Sequence, residues 1–164
     1  MPGQTSLRFS EMPALPPDQK IRFHFLDKGV YLTHRKKLKA FIASLFKKEK
    51  KSFVSLDYIF CSDEYLLNIN KSYLRHDFYT DIITFDLSDT ASSGRGAIAG
   101  EVYISLDRVR DNAGNFDASL KKELHRVIFH GALHLCGYKD KTSGDSQLMR
   151  QKEDEYLQLY LDNA

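Results

Sequence analysis

The chain has no tryptophan, two cysteines and four prolines in 164 residues. Two thiols cannot build the disulfide framework of a small secreted domain, so a reducing compartment, the cytoplasm, is expected. All four prolines (Pro2, Pro13, Pro16 and Pro17) lie near the start. Residues 1–20 show little periodicity and are read as an irregular N-terminal arm, with residues 21–164 as a single domain. The start also lacks the apolar central run of a secretory signal. No apolar stretch approaches the ~20 residues of a membrane span, so no membrane association is expected. Internal repeats and low-complexity tracts are missing, and no nucleotide cofactor is expected. Charge of one sign is not in large excess: the formal net charge is +2, which alone does not announce a nucleic-acid binder.

What is present is an ordinary globular composition, 42% hydrophobic and 28% charged, in a chain long enough to bury a core without disulfides or structural metal. Residues 21–27 (IRFHFLD) suit a short strand. From Thr33, a candidate N-cap, Leu38, Phe41, Ile42, Leu45 and Phe46 recur at helical spacing to about Lys50. Residues 53–61 are aromatic and β-branched enough for a strand. Ser62 caps a helix to about Tyr73, with Asp63 and Glu64 at the positive end of its dipole. A polar loop leads to a strand at 82–87, and the Gly/Ser stretch from Asp89 to Gly96 reads as a hairpin connection to a strand at 99–106. A short helix from Asp107 follows. Ser119 to Cys136 is helical and apolar nearly all round from Val127, the pattern of a helix buried on most faces, and Gly137 ends it. A last helix, about Asp145 to Leu161, is expected to bury Leu148, Met149, Tyr156, Leu157 and Tyr160. The order implies an α/β (α+β) layer fold with a small mixed sheet.

One segment is strongly basic. Arg35, Lys36, Lys37, Lys39, Lys47, Lys48, Lys50 and Lys51 are opposed there only by Glu49. Two readings stay open: the solvated face of a helix, or a surface that attracts phosphates.

The chemistry concentrates in HGALHLCGYKD, His130 to Asp140. His130 and His134 are four apart on a helix and share one face, the arrangement by which a helical histidine pair grips one zinc ion. Gly137 can adopt positive φ and turn the chain back, so that Asp140 supplies a third ligand. Three protein ligands leave a fourth position open, the mark of a catalytic rather than a structural zinc site. The alternative is a purely structural pair, but two histidines in an apolar helix then need other partners or incur a desolvation cost. One zinc ion per chain is expected. The spacing HxxxHxxGxxD is also that of the metzincin proteases, and zincins place a glutamate after the first histidine as general base. Here that place is Gly131, which cannot move a proton. A protease would have to use Glu101 or Glu123.

HGALHLCGY resembles the signature of the YbeY family, bacterial rRNA maturation factors that are single-strand-specific metallo-endoribonucleases. A second block, Asn70, Tyr73, Asp77, Thr80, Asp81, Thr84 and Phe85, falls in the family's helix-end, loop and strand pattern. A third, Gly100 to Ser105, resembles its Gly-Asp-Ile strand, with Glu101 for the usual aspartate. The resemblance covers roughly residues 60–140. It implies a single-domain, zincin-like fold with a buried metal-binding helix and flanking helices. It also implies cleavage of single-stranded RNA in maturation of the small-subunit rRNA 3′ end and ribosome quality control, with ribosomal components as partners. The family's common third ligand is histidine, where this chain has Asp140, and its functional arginine directly follows the tyrosine, where this chain has Leu74. The resemblance carries that catalytic role to Arg75, one place on. His76 is a candidate second-shell donor or general acid, and Phe78 and Tyr79 are candidate base-stacking surfaces or packing residues. The competing readings are another metal-dependent hydrolase, such as a protease, and a non-catalytic zinc-containing ribosome-assembly factor.

Overall fold

The computed structural model describes residues 16–28, 32–88 and 96–163. Most of the expected arm and of the Gly/Ser connection therefore lies outside the described residues. At the end of that span Pro17–Lys20 form a single helical turn, α1. Proline fits there because a first-turn position needs no intrahelical donor.

Among the described residues four strands follow the hydrophobic runs: β1 (Ile21–Phe25), β2 (Phe53–Cys61), β3 (Ile82–Asp86) and β4 (Ile98–Ser105). They lie in the order β1-β2-β4-β3. β1 and β4 pair parallel to β2, and β3 pairs antiparallel to β4, so the sheet is mixed as expected. Alternation along β4 splits its side chains between two cores. Val102 and Ile104 face the main core, and Tyr103 packs with Ile83 and Leu66 on the other side.

The main core lies between the sheet and α2 (Arg35–Lys48), α5 (Leu120–Leu135) and α6 (Ser143–Asp162). α3 (Asp63–Ile69) continues into a π-helical turn, Asn70–Leu74, and packs on the opposite face; α4 (Leu106–Asn115) leads from β4 toward α5. Ser62, Ser105, Ser119 and Thr142 each cap a following helix by accepting from a backbone N–H three residues on. At α2 the expected cap is displaced. His34, in the left-handed region at φ 51°, occupies that position without a side-chain bond, and not Thr33. Arg35 fixes the start instead, donating to the Leu32 carbonyl at 3.2 Å and lying over the Phe25 ring. Leu148, expected in the core, is 45% exposed. It falls just off the stripe of Met149, Glu153, Tyr156, Leu157 and Tyr160 that α6 buries.

Cys61 and Cys136 are buried and unpaired, their thiols pushed up to about 12 by burial. No described helix is long and apolar enough to cross a membrane.

Candidate metal centre

α5 packs close to the sheet because of one small residue. A Cβ on Gly131 would lie 2.6 Å from Val102 Cγ1 and 3.1 Å from Ile82 Cδ1, so a larger side chain forces those neighbours or the helix to shift. The position where a zinc protease needs its glutamate is thus filled by the sheet itself. His130 and His134 lie on the adjoining face, with ring centroids 4.5 Å apart. Gly137, at φ 104°, reverses the chain after the helix. Backbone bonds from Gly137 to His134 and from Tyr138 to Leu133 fix the turn, and the segment beyond brings Asp140 back over the histidines.

The three side chains meet. His130 Nε2 and His134 Nε2 stand 3.5 and 3.3 Å from the same oxygen, Asp140 Oδ2. Donors held about 2.0–2.1 Å from a tetrahedral zinc sit about 3.3 Å apart. The donor set and its spacing therefore fit that ion. Each ring's other nitrogen is already engaged: His130 Nδ1 with Glu153 Oε1 at 2.5 Å, and His134 Nδ1 with the Tyr138 carbonyl at 2.9 Å. With Nδ1–H donated in both, both Nε2 lone pairs point at the common centre, as metal-binding histidines require.

The electrostatics split the pair. Burial disfavours the imidazolium of His130, but the Glu153 hydrogen bond and the charges of Glu153, Asp81 and Asp140 outweigh it, and its pKa is raised. At His134 burial and the neighbouring His130 prevail over Asp140, and its pKa is lowered. Glu153 is itself buried and held by Arg126, which also binds Asp154 at 2.7 Å. Asp81 is fixed by Asn112 Nδ2 at 3.2 Å and by its own carbonyl, which accepts from Ser105 N–H.

These three side chains line a cleft of about 770 Å³. Lys139 and Lys141 flank Asp140 along it, and Leu74, at the end of the π-helical turn, lines it together with His76 and Phe78 from the loop beyond. Phe78 is 56% exposed and stacks on His76 at 5.1 Å. Tyr79 is different: Arg108 lies 4.8 Å over its ring, leaving that face occupied. Arg75 sits between two cleft-lining residues in the left-handed region at φ 57°. It is exposed and is not among the residues lining the cleft.

Neither candidate protease base reaches the cleft. Glu101 accepts from the Tyr103 hydroxyl at 2.9 Å. Glu123 is buried and lines a separate cavity of about 250 Å³ that shares Asp81 and His130 with the cleft. Sequence reasoning did not single out Glu153, Lys139 or Lys141. A signal for Glu153 was present: a carboxylate on the buried stripe of the last helix, four residues after Met149 and three before Tyr156.

A family model described as Endoribonuclease YbeY matches residues 26–161. A protein of Cytophaga hutchinsonii named Endoribonuclease YbeY is 49% identical over 142 residues, 87% of this chain and 96% of that one. A protein of Flavobacterium psychrophilum with the same name is 50% identical over 119 residues, 73% of this chain and 81% of its own. Among solved structures, the solution structure of TM1509 from Thermotoga maritima superposes with a TM-score of 0.59 at 27% identity, covering 87% of this chain and 91% of that one.

Proposed function

Because the chain belongs to the YbeY endoribonuclease family, we propose that it cuts single-stranded RNA in rRNA maturation, with residues 21–164 as the nuclease domain and one zinc ion on His130, His134 and Asp140. The observation that carries this reading is the convergence of two Nε2 atoms on one Asp140 oxygen at tetrahedral spacing, with both Nδ1 atoms engaged elsewhere. Bound there, a divalent ion supplies Lewis-acid polarisation of a phosphoryl oxygen.

The chain's own residues do the rest. Lys139 and Lys141 hold the phosphodiester backbone in the cleft. Phe78, stacked on His76 and more than half exposed, stacks an unpaired base, a contact that a base inside a duplex cannot offer. The role proposed for Arg75, which is exposed between Leu74 and His76 and outside the cleft lining, is to swing in and meet the scissile phosphate as charge develops on it. The proposed substrate is the 3′ end of the small-subunit rRNA, the proposed partners are ribosomal components, and the proposed location is the cytoplasm, in keeping with two unpaired thiols.

Zinc-loaded protein incubated in parallel with single-stranded RNA and with casein tests the activity. RNA cut and casein intact is the expected result; the reverse would sink it. Asp140→Ala is expected to lose both the metal and RNA cleavage. Loss of metal with cleavage retained would show that this centre does not do the chemistry.

A further inference from the structure

The basic segment divides in two. At its start three cations are occupied. Arg35 lies on Phe25, Lys37 donates to the Asn163 carbonyl and lies 5.7 Å over Tyr160, and Lys39 donates to the Asp18 carbonyl and lies 5.5 Å over Phe23. Further along, Lys48 pairs with Glu155. Lys47, Lys50 and Lys51 have no carboxylate partner among the described residues. With Lys20 they line a concavity of about 660 Å³ between α1, the end of α2 and the start of β2, floored by Phe46 and Phe53.

No carboxylate lines this concavity. Glu49, the one acid of the segment, is turned away from it. It accepts from Tyr138 at 2.8 Å, from Lys152 at 3.1 Å and from Tyr156. The end of the α2 dipole contributes roughly half a negative charge, far less than four ammonium groups supply. The net field in the pocket is positive.

The pocket also lies along one row of the sheet from the metal cleft. Asp86, which lines the cleft, is in register with Gly100, Gly100 with Leu56, and Leu56 with Ile21, the residue after Lys20. Three strand spacings separate the two ends of that row, about 15 Å.

We propose that the Lys20–Lys47–Lys50–Lys51 pocket is an exosite for backbone phosphates of the same single-stranded RNA whose scissile bond occupies the metal cleft. This rests on the ribonuclease reading above. It adds that RNA long enough to span both places binds more tightly than RNA that fills the cleft alone. Counterion release from the pocket then gives the longer RNA a steeper salt dependence.

The test compares the full chain with a Lys47→Gln/Lys50→Gln/Lys51→Gln variant, using labelled single-stranded RNAs of about 4 and about 12 nucleotides. Fluorescence anisotropy is read over a salt series, and cleavage is followed alongside. The expected result is at least a tenfold loss of affinity for the longer RNA in the variant. Its log–log salt slope falls by about 2, three contacts at about 0.7 each, while binding of the shorter RNA and the melting temperature are unchanged. Equal weakening for both lengths, no change for either, or an equal loss of duplex RNA binding would overturn the exosite. If the wild-type chain cuts both RNAs but binds them with equal affinity, the exosite is wrong and the nuclease stands. If it cuts neither, the ribonuclease reading itself has failed.

Discussion

Replacing Glu153 with alanine removes the acceptor that holds His130 in its metal-facing tautomer. The carboxylate reaches His130 Nδ1 at 2.5 Å from a different helix, and Arg126 fixes it from behind at 3.3 Å. Arg126 keeps Asp154 at 2.7 Å in the variant, so the guanidinium is not stranded. Loss of such an outer partner typically lowers metal affinity 10–100-fold, about 1.4–2.7 kcal/mol. Zinc that binds only the folded state stabilises it in proportion to the logarithm of its affinity. For a chain of this size 1 kcal/mol shifts the melting temperature by about 2–4 °C. At equal saturating zinc, the upshift on adding metal should therefore be smaller in Glu153→Ala by about 3–10 °C. Chelator competition measures the affinity and a thermal melt with and without zinc measures the shift. Glu153→Gln, whose amide oxygen can still accept from Nδ1–H, should recover most of both. An alanine variant with wild-type affinity and a wild-type upshift would refute the reasoning, whatever its activity.

Three further outcomes follow from packing and charge. Gly131→Ala should destabilise the chain by about 1–3 kcal/mol in a denaturant melt, because the new methyl meets buried Val102 and partly buried Ile82; an unchanged midpoint would show that α5 can shift freely. His125 is buried between Phe129 and Tyr160, with Nε2 unsatisfied and its pKa lowered chiefly by burial. Its folded pKa lies below the unfolded value, so the unfolded state binds more protons and stability drains as pH falls below about 6.5. His125→Phe should gain about 1 kcal/mol and lose that part of the pH dependence, and a variant no more stable than wild type would count against it. Burial alone would raise the Glu49 pKa, but bonds from Tyr156, Tyr138 and Lys152 outweigh it and the net shift is downward. Its stabilisation is present above the unfolded carboxylate pKa, about 4.3, and is lost as pH falls through the lower folded value. Glu49→Gln should therefore cost about 2 kcal/mol at pH 7 and nearly nothing at the acid end of the same titration; a cost independent of pH would contradict the assignment.

Patterns within one element were readable along the chain, and the long-range partnerships were not. Spacing alone put His130 and His134 on one face and made Gly137 a turn, because helical periodicity and positive φ are local properties. The strands and the cap at Ser62 were legible for the same reason, to within a residue or two. Glu153 was not, since nothing in its own helix says that its neighbour across the packing is His130. The basic segment shows the limit most plainly. Eight cations read as one stripe, but three-dimensional packing places Arg35, Lys37 and Lys39 on aromatic rings and carbonyls and leaves Lys47, Lys50 and Lys51 around a pocket.

The sequence by itself determined the proposed donor set, His130, His134 and Asp140, and the helix that carries two of the three, since residue type and spacing decide which atoms can face one ion. Only the tertiary structure decided how Asp140 approaches the imidazoles, that Glu153 holds one of them from α6, and why residue 131 must be glycine. Those depend on which surfaces share the core. A close approach between helix and sheet, or a hydrogen bond across 23 residues, arises only when separate elements are packed against each other.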